Sequence, residues 1–234
     1  MLSIPRICGN HLLVTFVCSL TMISYSIVSV NAQSPNAELY GLQSKPYQIS
    51  YSMWIVKWTQ WLTSIPKNEN PAADTSGANC SVNQQGPVWF LAGTFGGSAM
   101  RTCTIPAGKA ILTPILSAFC TFLTDNARTE TDLRQCAQEG NNGASLQASV
   151  DGIALPNLES YRITSDLSSF TIPKDNPYGF PSGNTKTIVD GVFLFLKPLP
   201  RGDHVLHFAG ATIDNPTVGT QSYTTEVTYN LKVQ

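Results

Sequence analysis

The chain has 234 residues and a formal charge of −1 at pH 7, from 14 Lys and Arg against 15 Asp and Glu. That balance excludes the clustered basic surface from which nucleic-acid binders draw most of their affinity. Charged residues make up 12% of the chain, about half the usual share of soluble domains, so Ser, Thr, Asn and Gln must carry much of the polar surface.

The first segment has Arg6 as its one cation, an apolar stretch over residues 12–30, and Val30-Asn31-Ala32 before Gln33. This is the pattern of a signal peptide spanning residues 1–32, cleaved between Ala32 and Gln33. The competing expectation is a retained anchor, since residues 12–30 nearly reach the roughly 20 apolar residues a spanning helix needs. Ser and Thr dilute the stretch, and Thr15-Phe16-Val17 is too bulky for lipoprotein processing at Cys18. No second apolar run of spanning length follows, so no membrane span is expected after cleavage.

Residues 33–45 lack periodicity and are expected to form a flexible arm. From residue 46 the spacing changes: Tyr47, Tyr51, Trp54, Ile55, Trp58, Trp61, Leu62 and Ile65 follow a period of 3.6, which predicts a helix over 46–65. Ser44 or Lys45 is the expected N-cap, with Pro46 in the first turn and Pro66 as the stop. An aromatic stripe can bind sugars or membranes, but at helical spacing it is the face that packs on the body of the domain.

Asn70-Pro71 and Asp74-Thr75-Ser76-Gly77 supply turn chemistry. Strand-like segments follow at 88–92, 101–105 and 110–116, separated by glycine- and proline-rich turns. Residues 124–139 are a second helix candidate, in which Thr129 and Asp132 resemble a capping box and Gly140 closes the end. Strands resume at 145–150, 161–165 and 169–172. A loop over 173–184 carries Pro177, Tyr178 and Phe180. Residues 192–196, 204–209 and 223–233 complete the set, the last alternating apolar and polar side chains throughout. The expected fold is mostly β: an antiparallel β-sandwich, jelly-roll or Ig-like, forming one domain over 46–234.

Four of the six cysteines follow the leader, and in an oxidising compartment Cys80, Cys103, Cys120 and Cys136 have three possible pairings. Nearest-neighbour bonds, Cys80 with Cys103 and Cys120 with Cys136, are expected, each contributing roughly 3 kcal/mol on the chain-entropy model. No C-x-x-C pair supports zinc. His204 and His207 lie three apart on an expected strand and so point to opposite faces, which rules out joint chelation. Gly96-Gly97-Ser98-Ala99-Met100 is not a G-x-S-x-G elbow, and H-E-x-x-H and phosphate-loop motifs are absent. No cofactor or metal is expected. Asp125, Glu130 and Asp132 resemble a calcium cluster, but acids at a helix start are expected from its dipole.

Asn79-Cys80-Ser81 makes Asn79 a possible glycosylation site. Arg201-Gly202-Asp203 matches an integrin-binding tripeptide, although it also reads as a hairpin turn. Asp74, Asp151 and Asp190 are candidates for a glycosidase-type carboxylate pair, yet each lies at or near a Gly in a turn.

Residues 86–94 (Gly86-Pro87-Val88-Trp89-Phe90-Leu91-Ala92-Gly93-Thr94), residues 103–110 (Cys103-Thr104-Ile105-Pro106-Ala107-Gly108-Lys109-Ala110) and Leu199-Pro200-Arg201-Gly202-Asp203-His204 resemble a family of secreted microbial proteins. That family begins with a Trp-rich helix and ends in a strand like Val227-Thr228-Tyr229-Asn230-Leu231. The resemblance implies one exported domain and carries no activity. The expectation is a secreted or cell-surface protein without catalysis of its own, in a binding or envelope-structural role, with a glycan or cell-surface component as partner. A secreted polysaccharide hydrolase using loop carboxylates is the second expectation, and adhesion through the 201–203 turn the third.

Overall fold

The computed structural model describes residues 37–214 and 221–234; the expected leader and its cleavage point at Ala32 and Gln33 lie outside them. Strands are numbered in chain order. One sheet holds β1 (Val88–Phe90), β3 (Ala110–Thr121), β6 (Arg162–Thr164), β7 (Ser168–Ile172) and β8 (Gly183–Leu196). Its order is β1-β3-β8-β6, with β7 also paired to β8. The other holds β2 (Gly97–Ile105), β4 (Ser145–Val150), β5 (Ile153–Ala154), β9 (Gly202–Thr212) and β10 (Tyr223–Val233), ordered β2-β10-β9-β4-β5. The two sheets pack face to face as a β-sandwich, and two helices, α1 (Tyr51–Thr63) and α2 (Glu130–Glu139), complete the fold.

The sheets are not purely antiparallel, as the short strands suggested. β1 pairs β3 in parallel and β2 pairs β10 in parallel. A parallel pair needs a crossover connection, and here the chain leaves the first sheet after β1, runs through β2 in the second, and returns as β3.

The run Val192-Phe193-Leu194-Phe195-Leu196 has no polar alternation because β8 is covered on both sides. Val192, Leu194 and Leu196 enter the core between the sheets with Leu206, Phe208, Val227 and Leu231. Phe193 and Phe195 point the other way, into a second core with Tyr51, Trp54, Trp58 and Trp61 of α1. Edge-to-face ring contacts order that layer, among them Trp54 on Phe195 at 5.8 Å and Trp58 on Phe193 at 5.6 Å. The Tyr51 hydroxyl donates to Phe193 O at 2.7 Å. A third cluster joins Leu133 and Ala137 of α2 to Ile188 of β8.

The first helix starts later than its stripe predicts. Pro46–Gln48 form a separate 3-10 turn, and Tyr47 and Gln48 have positive φ. The cap is Ser50, whose side chain accepts from Met53 N, a better N-cap than Lys45. In α2 the capping box is present: Thr129 accepts from Asp132 N and Asp132 accepts from Thr129 N. Residues 38–40 of the expected arm lie along the end of β8. Leu39 bridges Leu196, Tyr40 N donates to Phe195 O, and Lys197 N donates to Glu38 O.

Disulfides join Cys80 to Cys103 and Cys120 to Cys136. The first ties the turn-rich segment after α1 to β2, and the second ties α2 to the end of β3. Among the described residues, no helix is long and apolar enough to cross a membrane.

Candidate functional site

A β-strand with Pro in its middle is irregular, because Pro donates no ladder hydrogen bond. In β3 the register against β8 shifts between Pro114 and Leu116, the signature of a bulge. Two glycines make room for it. A Cβ on Gly191 of β8 would lie 2.4 Å from Leu116 O, and one on Gly210 of β9 would lie 2.6 Å from Leu116 Cγ.

The bulge forms one wall of a cleft of about 470 Å³, within the usual range for small-molecule sites of about 300–1,000 Å³. Trp58 and Leu62 of α1 line a second wall; Gly93, Thr94 and Phe95 after β1 line a third; and Tyr178 and Tyr223 close the remaining side. The Trp58 indole N–H is spent on Leu91 O at 2.8 Å, so its ring is what the cleft can use. At the rim, Phe95 packs on Tyr178 at 5.4 Å, Tyr178 on Phe119 at 5.5 Å, and Tyr178 stacks on Phe180 at 5.2 Å.

The floor is held from behind by Arg101 of β2, which is 1% exposed. Its Nε donates to Asp74 O at 2.7 Å, and its Nη1 donates to Ala92 O at 2.7 Å, Gly93 O at 3.0 Å and the Tyr229 hydroxyl at 2.7 Å. The guanidinium also lies 5.3 Å from the Tyr229 ring centroid. One side chain thereby fastens the 72–74 and 92–93 segments to the second sheet.

Polar groups in the cleft are few. Thr94 and Thr225 bond each other through their hydroxyls at 3.1 Å, and the Tyr223 hydroxyl donates to Thr94 O. Tyr178, Ser117 and Lys67 also line the cleft, and among the described residues the hydroxyl or ammonium of none of the three has a hydrogen-bond partner. Burial and the neighbouring Tyr223 phenol push the Tyr178 hydroxyl well above the ordinary phenol range, so it stays protonated as a donor.

The residues singled out by sequence fall elsewhere. Asp190 is 1% exposed and is committed to Arg162 Nε at 3.0 Å, Thr164 Oγ1 at 2.7 Å and Asn141 Nδ2 at 3.1 Å. Asp151 accepts from Val205 N and sits 2.8 Å from Nδ1 of His204, whose Nε2 is 3.0 Å from Pro200 O. Asp74 accepts from Ser76 N, the Ser76 hydroxyl and Asn79 N. Burial works to raise the Asp74 carboxyl, but these bonds outweigh it and hold it below its ordinary value. None of the three aspartates lines the cleft.

His204 is buried while His207 lies on the outer face of β9, 3.2 Å from Glu226 Oε1, so they share no face. Arg201, Gly202 and Asp203 are exposed, with Asp203 paired to Lys232 in the β9–β10 ladder. Asn79 is half-buried beside buried Cys80. Asp132 serves the α2 cap, Glu130 pairs with Arg134 at 2.8 Å, and Asp125 accepts from Thr121 N and the Thr124 hydroxyl. Among the described residues, the grouping of three ligand side chains within reach of one ion is Cys120, Asp125 and Cys136, and its two sulfurs form a disulfide.

Sequence reasoning missed the cleft. Its available signals were Arg101 in a Cys-bearing strand, Pro114 inside an apolar strand, and the aromatic pair Tyr178 and Phe180 in a polar loop. No protein-family model, curated protein or solved structure matches the chain.

Proposed function

We propose that this chain is an exported binding protein without catalysis of its own, which holds a small, largely apolar molecule in the cleft between α1, the β3 bulge and the 173–182 loop. The observation that carries this is the lining: Trp58, Phe95, Tyr178 and Tyr223 around about 470 Å³, with three hydrogen-bonding side chains that have no partner among the described residues. Apolar walls with a few placed polar groups are the ordinary makeup of a ligand site. The leader pattern and the two disulfides support export. The hydrolase expectation has less support, because Asp74, Asp151 and Asp190 are each engaged locally and lie outside the cleft.

The test is ligand-observed NMR on the purified protein with a panel of small aromatic, aliphatic and saccharide compounds, repeated with Ser117→Trp. Ser117 is exposed on the cleft wall, so the indole fills the site without entering the core. Apolar members should bind the native chain and lose binding in the variant. Binding by saccharides alone, or binding that survives Ser117→Trp, overturns the proposal.

A further inference from the structure

The charge around the cleft is one-sided. Among the described residues, Lys67 is the one charged residue of the lining, and no Asp, Glu or His takes part in it. Lys67 follows the Pro66 stop of the first helix, and its exposed ammonium has no partner among the described residues. A second cation stands behind the floor: the Arg101 guanidinium donates to Gly93 O and lies 3.4 Å from Ala72 O, and both residues line the cleft. Among the described residues, the Arg101 guanidinium bonds only neutral oxygens, the Tyr229 hydroxyl and backbone carbonyls. The nearby Asp74 carboxylate is turned toward Ser76 and Asn79, and Glu69, two residues beyond Lys67, is outside the lining. An apolar wall next to a cation strengthens its attraction for an anion, because water screens the pair less there.

We infer that the molecule held in the cleft is an apolar carboxylic acid, with its carboxylate against the Lys67 ammonium and its body among Trp58, Phe95 and Tyr178. This rests on the cleft being a ligand site. The unpartnered hydroxyls of Tyr178 and Ser117 are further donors suited to carboxylate oxygens. A compound with an ammonium in that position would face two cations instead.

The probes are matched pairs: octanoate with 1-octanol, and 3-phenylpropionate with 3-phenylpropan-1-ol, titrated into the full chain by calorimetry. Each acid should bind about two- to fivefold more tightly than its alcohol, as expected for an exposed ion pair. The advantage should shrink as salt rises from about 0.05 to 0.5 M. Lys67→Met should bring each acid down to the affinity of its alcohol, and Lys67→Arg should keep the advantage. Equal affinities for acid and alcohol, or an advantage that survives Lys67→Met, overturn the carboxylate assignment and leave the cleft standing. Failure of every probe to bind, or binding by acids and alcohols alike that survives Ser117→Trp, overturns the cleft as the site and this inference with it.

Discussion

Arg101→Met removes the guanidinium and keeps most of the apolar stem. The carbonyls of Asp74 and Gly93 then lose their donor, as does Ala72 O, held more loosely at 3.4 Å, whereas Ala92 O keeps the Tyr229 hydroxyl at 2.9 Å. A carbonyl left unpaired costs about 1–3 kcal/mol when buried and less where water can reach it, so the three together give a gross loss of about 3–6 kcal/mol. Relief from burying a charge offsets part of that, but the orphaned acceptors are backbone atoms and cannot be replaced along with the side chain. The expected net loss is about 3 kcal/mol, or about 6–12 °C in Tm for a domain near 200 residues. Arg101→Lys should be destabilised to within about 1 kcal/mol of Arg101→Met, because a point-like ammonium cannot span acceptors on separate segments. Urea melts followed by circular dichroism measure both. A native-like midpoint for Arg101→Lys, or a loss below about 1 kcal/mol for Arg101→Met, would refute the role given to the fork.

Gly191→Ala places a methyl 2.4 Å from Leu116 O and should cost about 2–3 kcal/mol by overpacking the bulge, while Gly41→Ala, with open space around its Cβ, should lie within about 0.5 kcal/mol of the parent; equal melting points for the two would refute the close approach. At high pH four buried or half-buried phenols contribute to stability. Burial raises Tyr51, Tyr178, Tyr223 and Tyr229. The unfolded chain therefore ionises first, and the contribution of these residues is intact below about pH 10 and lost as pH climbs from there toward their folded values. Denaturation midpoints measured from pH 8 to 11.5 should fall beyond about pH 10, and a flat profile to pH 11.5 would count against the burial of these rings. The Asp74 carboxyl works in the opposite direction: held below its ordinary value, it stabilises above about pH 4 and loses that contribution as pH falls further.

The sandwich was legible because local signals and burial agree. β10 alternates as written, and its buried residues Val227, Tyr229, Leu231 and Val233 are those the pattern places on one face. The stripe on α1 reads as a packing face, and Trp54, Trp58 and Trp61 do pack on the first sheet. Less of β8 was legible, since a strand covered on both faces loses its period, and residues 183–191 show too little apolar character to join it. The parallel pairings depend on which sheet each strand enters, and nothing local to β1 or β2 encodes that. The 46–50 segment was misjudged because a proline at a helix start is equally compatible with a short turn before a better cap.

Legibility fails most at the cleft, where the sequence breaks its own rules. Pro114 sits inside a strand, Arg101 is buried without a carboxylate, Gly191 and Gly210 lie in strand interiors, and aromatic rings crowd a polar loop. Each feature weakens a regular sandwich when taken alone. Their positions converge: Pro114 shifts the register, Gly191 and Gly210 admit the displaced Leu116, and Arg101 braces the backbone that faces the bulge. Departures from local consistency that meet at one place mark a site where something other than stability is served. Departures scattered by chance would have left their cavities apart, whereas here Pro114, Leu116, Gly93 and Tyr178 border the same space.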